Sequence, residues 1–151
     1  MPAGKLKEYL DNQGVKYITI SHSKAYTAME VAESAHVKGK EMAKSVILKM
    51  DGKLAMAVLP ATQMVHVERL KKAVGAKHVE IAEEQEFQGN FPGCEVGAMP
   101  PFGNLYGMDV YVDPHLTEDE EIAFNAGTHT ELMWLRYKDF ERLVQPKPVQ
   151  M

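Results

Sequence analysis

Lys44-Ser45-Val46-Ile47-Leu48-Lys49-Met50, then Asp51-Gly52, then Lys53-Leu54-Ala55-Met56-Ala57-Val58-Leu59: two apolar runs joined by two residues decide the fold class. Asp-Gly between such runs is the strongest short hairpin signal, because a type I′ turn needs positive φ at both central residues. The spacing predicts an antiparallel hairpin, ended by Pro60. Working outward, the β-branched run Val15–Ser21 and the run Met108–Asp113 read as strands, and Val79-Glu80-Ile81 is short enough for a strand or a connector. Ile122–Ala126 and Thr130–Leu135 flank Gly127-Thr128-His129 and read as two more. Helical spacing of Leu6, Tyr9 and Leu10 predicts a helix over Gly4–Gln13, with Gly14 at its C′ position. Thr27-Ala28-Met29-Glu30 fits a capping box opening a helix to about His36. Val65–Val74 is a helix stopped by Gly75, Glu83–Phe87 is one helical turn or two, and Tyr137–Leu143 closes the fold. Four carboxylates in Thr117–Glu121 read as a solvated turn, and Pro146 and Pro148 predict a frayed tail. Without a repeat or linker, residues 1–151 read as a single α+β domain, a sheet of about six or seven strands with helices collected on one side.

Composition bounds the function. The 151 residues are 45% hydrophobic and 25% charged, as an ordinary globular domain with its own core requires. Cys94 is the single cysteine, so no internal disulfide exists, and Lys5, Lys7 and Glu8 interrupt any signal-like apolar run. A reducing cytoplasm is the expected location. No apolar run approaches the roughly 20 residues that cross a bilayer. A formal charge of -4 argues against a protein that coats nucleic acid, while leaving room for a local basic face that holds one phosphate-bearing end.

Few side chains offer chemistry. Lys44 opens a strand whose next residues are apolar, so its ammonium is expected at the rim of the sheet, where it serves as a phosphate or carboxylate donor, as a base or amine nucleophile if its pKa is depressed, or simply as a solvated strand end. Lys38, Lys40 and Lys49 would extend a positive edge. The six histidines show no paired ligand spacing and Cys94 has no partner, which argues against zinc; no other metal and no cofactor is implied. There is no Gly-x-Ser-x-Gly elbow, and Cys94 beside Glu95 is badly placed for a reactive thiolate. Gly97-Ala98-Met99-Pro100-Pro101-Phe102-Gly103 is a stiff loop that fits neither common phosphate-binding glycine pattern; it either holds a ligand or is a tight connection. Asn125–His129 either lines a polar pocket or forms an ordinary hairpin turn.

Three segments in this order, Ala43–Lys49, Gly97–Gly103 and Phe124–His129, resemble the YbaK/aminoacyl-tRNA synthetase-associated domain family, with a likeness spanning about Tyr17 to Leu143. The resemblance implies an α+β domain around a mixed, barrel-like sheet, acting in trans as an editing deacylase that hydrolyses the ester joining a wrong amino acid to tRNA. It implies that Lys44 engages the terminal adenosine phosphate and the reacting end, and that Gly97 and Pro101, the Gly-x-x-x-Pro pair, position the ester and admit water. By the same resemblance Thr27, Met29 and Ser45 border the amino-acid pocket, together with Ala98, Pro100, Gly127, Thr128 and His129. The implied partners are the aminoacyl-tRNA acceptor end and an aminoacyl-tRNA synthetase, with neither DNA nor membrane. A non-catalytic acceptor-end or synthetase-binding module of the same fold, and a small-molecule esterase or amidase, are the competing readings. Alanine, proline, serine and cysteine all remain open as the amino acid removed.

Overall fold

Asp51 and Gly52 both adopt positive φ, 47° and 85°, as a type I′ turn requires. The hairpin they close lies in the middle of the fold. The computed structural model describes residues 4–21, 29, 32, 38–91, 94–95 and 97–151. Along these the chain runs α1 (Gly4–Asn12), β1 (Tyr17–Ser21), β2 (Met42–Met50), β3 (Lys53–Pro60), α2 (Val67–Val74), β4 (Val79–Ile81) and α3 (Glu84–Phe87). It continues through β5 (Asp109–Val112), α4 (Pro114–Thr117), β6 (Glu121–Thr128), β7 (Glu131–Arg136), α5 (Tyr137–Val144) and β8 (Lys147–Pro148). The expected helix from Thr27 to His36 lies outside the described residues.

The strands form one sheet in the order β1-β7-β6-β2-β3-β5-β8, with β4 added beside β2. The β2–β3, β6–β7, β1–β7 and β2–β4 pairs are antiparallel, and β2–β6, β3–β5 and β5–β8 are parallel, so the sheet is mixed as expected. Among the described residues there are eight strands, because the three-residue β4 and the two-residue β8 both pair.

Alternation along the central hairpin sorts its side chains. Ala43, Ile47, Met56 and Val58 enter the main core with Leu6 and Leu10 of α1, Phe124 of β6 and Phe140 of α5. Phe102 anchors that core, 5.6 Å from Phe124 and edge-on to Phe140 at 5.5 Å between ring centres. The opposite face, Leu48, Met50, Ala55, Ala57 and Leu59, is covered by Leu70 of α2 and by Met151. Helices therefore flank both faces rather than one: the outer face of the hairpin is too apolar to leave wet, and α2 offers one stripe through Val67, Leu70 and Val74.

The tail is docked and not frayed. Lys147 and Pro148 pair with Tyr111 and Val112, Val149 N–H donates to the Val112 carbonyl at 2.9 Å, and Met151 is 3% exposed. Proline is tolerated there because β8 is an edge strand, where a missing donor breaks no ladder. No helix among the described residues is long and apolar enough to cross a membrane.

Candidate functional site

On the edge away from β3, strand β2 changes partner. Its first residues pair with β6 through Met42↔Ala123 and Ala43↔Phe124, and its last with β4 from Leu48↔Ile81 to Met50↔Val79. Ala82 N–H adds one bond to the Ile47 carbonyl. Between these contacts Lys44, Ser45 and Val46 pair with β3 alone, so the sheet is split beside them.

Strand β6 turns away at the same level. Its register with β7 shifts between Asn125 and Thr128, and Gly127 adopts φ 97°, which a side chain would oppose. Gly127 gives both backbone groups to the Gly-Pro loop: its carbonyl accepts from Glu95 N–H at 2.7 Å, and its N–H donates to the Ala98 carbonyl at 2.9 Å. The loop thus binds β6 just past the point where β2 departs. Gly97, at φ 87°, is close enough to His129 that an added Cβ would lie 3.4 Å from the imidazole Cε1. His129 is 7% exposed, with Nε2 3.8 Å from the Glu95 carboxylate. Gly97, Ala98, Gly127, Thr128 and His129 are therefore brought together. Ala98, Pro100 and Pro101 are buried, and Met99 and Phe102 beside them join the main core, which fixes the loop from behind.

Side-chain alternation divides the residues around the split. Met42 packs with Ala32, Ala61, Ala123 and Leu132, so Lys44, two residues on, shares that face. Asn125, opposite Leu132, shares it too. Met29 is exposed, and its sulfur would lie 3.1 Å from a Cβ at Gly39, at the same end of β2. Ser45 points to the main-core side with Ala43 and Ile47. Thr27 lies outside the described residues.

Two buried polar atoms at the split lack a hydrogen-bond partner: Ser45 Oγ and Asn125 Oδ1. Each such atom costs about 1–3 kcal/mol, a price that a bound ligand could remove. Burial also holds the Lys44 ammonium below the ordinary lysine range, a tilt toward the neutral amine. Asn125 entered the sequence reading only as one end of Asn125–His129, a polar pocket lining or a turn, and the resemblance gave it no role. Its signal was a lone amide between the core residues Phe124 and Ala126, whose weight depended on knowing the bulge.

Other candidates fall away from the split. Lys49 forms an ion pair with Glu86 at 3.1 Å, which neutralises its share of the expected positive edge. The half-buried Cys94 thiol lies 3.8 Å from the Tyr106 hydroxyl, and burial pushes its pKa up, so it behaves as a packing residue. Among the described residues no three His, Cys, Asp or Glu side chains are grouped to hold a metal.

The sequence profile described as "Aminoacyl-tRNA editing domain" matches residues 22–143. The Multifunctional Ser/Thr-tRNA deacylase ProXp-y of Escherichia coli (strain K12) is 28% identical over 150 residues, which cover 96% of this chain and 89% of that protein. A proline–tRNA ligase of Bacillus mycoides (strain KBAB4) is 27% identical over 84 residues, 56% of this chain but 15% of the ligase. A crystal structure of a candidate trans-editing enzyme for prolyl tRNA synthetase superposes with a TM-score of 0.82 at 19% identity, over 98% of this chain and 94% of that one, and shows the same fold.

Proposed function

This chain belongs to the aminoacyl-tRNA editing domain family, and from that premise we propose that it is a deacylase acting in trans, hydrolysing the ester between a mismatched amino acid and its tRNA. The whole of residues 1–151 serves as one editing domain with its core over about 17–143, working in the cytoplasm on the acceptor end of charged tRNA and in company with an aminoacyl-tRNA synthetase.

The observation that carries this reading is the split beside Lys44–Val46, with the Gly97 loop bound to β6 where β2 has left it. An aminoacyl ester is already activated. Water adds to its carbonyl carbon, the bond to the ribose oxygen breaks, and that oxygen leaves with a proton, giving free amino acid and tRNA. The step needs a placed water and donors for the developing oxyanion more than a strong nucleophile. Lys44 holds the terminal adenosine phosphate and the reacting end. The backbone of the loop from Gly97 to Pro101 orients the ester, and a ribose hydroxyl of the substrate helps to orient the water, so no catalytic triad is required. Met29, Thr27 and Ser45 bound the amino-acid side chain with Ala98, Pro100, Gly127, Thr128 and His129, and Asn125 adds an amide on the Lys44 face. Serine and threonine head the candidate substrates, because the Escherichia coli relative is named for them.

Hydrolysis of a panel of tRNAs charged with serine, threonine, alanine, cysteine or proline, by the wild type and by Lys44→Ala, tests the proposal. Selective release of one or two amino acids, reduced on the order of 10²-fold in the variant, is the expected result. Full activity of Lys44→Ala would remove the lysine from the mechanism. Binding of tRNA without hydrolysis would make the protein a capture module instead.

A further inference from the structure

At the edge of the sheet where β3 ends, Asp113 and His115 form a built pair. Asp113 is 2% exposed and caps α4: its carboxylate accepts the His115 backbone N–H at 2.8 Å and faces the ring Nδ1 at 2.7 Å. Asp113 is itself fixed, through its N–H to the Val58 carbonyl at 2.9 Å. The His115 side chain is 62% exposed. In the neutral ring the Nδ1 proton is committed to the carboxylate, and Nε2 remains an acceptor for a ligand hydroxyl.

His115 lines two adjoining grooves. One, of about 440 Å³, also carries Thr62, Gln63, His66 and Arg69. Among the described residues that line it Asp113 is the one acidic side chain, and its carboxylate is taken up by the hydrogen bonds from His115. The other, of about 280 Å³, sets Lys40 against Glu118 and Asp119, so it offers an anion little. The larger groove thus combines a guanidinium, which suits a phosphate bidentately, with a pinned imidazole acceptor, which suits a ribose 2′-hydroxyl. That combination matches one ribose-phosphate unit of RNA and not of DNA. The groove reaches toward the start of β2 through Thr62, which a Cβ at Gly39 would meet, as it would Met29.

We propose that this groove is a second RNA contact, seating one ribose-phosphate unit of the acceptor stem with Arg69 on the phosphate and His115 on the 2′-hydroxyl. The proposal rests on the deacylase reading only for the identity of the RNA. It is tested by fluorescence anisotropy with an uncharged acceptor-stem minihelix, all-ribose or with 2′-deoxy substitutions in the stem, across a salt series. Arg69 is exposed, so Arg69→Glu should keep the melting temperature of the wild type. It should weaken minihelix binding about tenfold at low salt and flatten the slope of log K against log salt by about 1. The wild type should prefer ribose several-fold, and His115→Ala should erase that preference.

Unchanged affinity and salt slope in Arg69→Glu would overturn the proposal. So would loss of inorganic phosphate binding with minihelix binding intact, which would mean an anion site and nothing more. A wild type that binds the minihelix through Arg69 but hydrolyses no ester would instead overturn the deacylase reading and leave the groove standing.

Discussion

The β2–β3 hairpin pairs eight residues in unbroken register, whereas the β6–β7 hairpin loses register between Asn125 and Thr128. Both turns are two residues or close to it, and both hairpins bury one face in the main core. They differ in what the backbone does after the turn. In the first, every step strengthens pairing; Asp51 even adds its carboxylate to the backbone N–H groups of Lys77 and His78, tying the tip to the approach of β4. In the second, Gly127 turns its carbonyl and N–H away from the partner strand and gives them to the Gly-Pro loop. One hairpin makes the scaffold stiff. The other leaves buried polar groups, Asn125 Oδ1 among them, in need of a partner. Under the proposed function, local stability is exchanged here for a place where the ester can sit, the usual distribution of strain in functional proteins.

Breaking the second hairpin should have the largest effect. Gly127→Ala forces a side chain at φ 97°, at a cost of about 1–2 kcal/mol, and shifts the groups that hold Glu95 and Ala98. Deacylation of the preferred tRNA ester should fall by on the order of 10²-fold in a single-turnover assay, more than the stability loss explains.

The matching change in the first hairpin is Gly52→Ala, at φ 85° with open space around it. Urea unfolding should show a loss of about 1–2 kcal/mol. Turnover by the folded protein should stay within about twofold of wild type. A large drop in turnover here would mean that the two hairpins are not divided between support and chemistry.

The smallest effect sharpens the role of Lys44. Burial lowers its folded pKa below the ordinary 10.5, so between the two values the unfolded chain binds the extra proton. Stability therefore rises with pH across that window, and the penalty is fully present below the folded pKa. Lys44→Met should raise the melting temperature slightly at pH 7 and show a smaller gain as pH approaches 10.5. A variant that melts lower than wild type at pH 7 would place the lysine in a structural contact instead.

Local chemistry explains which parts were legible before the fold was known. Asp51-Gly52, Gly14 and Gly75 each sit at positive φ, and each marked its turn or helix end in the sequence because few residues tolerate that geometry. Ile122–Ala126 and Thr130–Leu135 were legible as strands, but β6 runs on through Gly127 and Thr128, so that glycine marks a bulge within the strand rather than the turn. The split was not. It depends on a two-residue parallel contact, Met42↔Ala123 and Ala43↔Phe124, between segments some eighty positions apart, and such pairing imposes no pattern on either segment. The tail misled because its prolines suggested fraying, while an edge strand accepts them. No helix was expected at Pro114–Thr117, although an N-cap followed by proline at N1 is a helix start, and only the fold shows that Asp113 also grips an imidazole.

The same distant pairing sets a schedule for synthesis. The hairpin of β2 and β3 is complete once residue 60 is free of the ribosome, and local pairing of this kind forms quickly. Strand β6 and its grip on the Gly-Pro loop come from residues 121–128, which emerge about sixty residues later. A growing chain would therefore hold its scaffold for some time before β6 arrives and the Gly-Pro loop has a strand to bind.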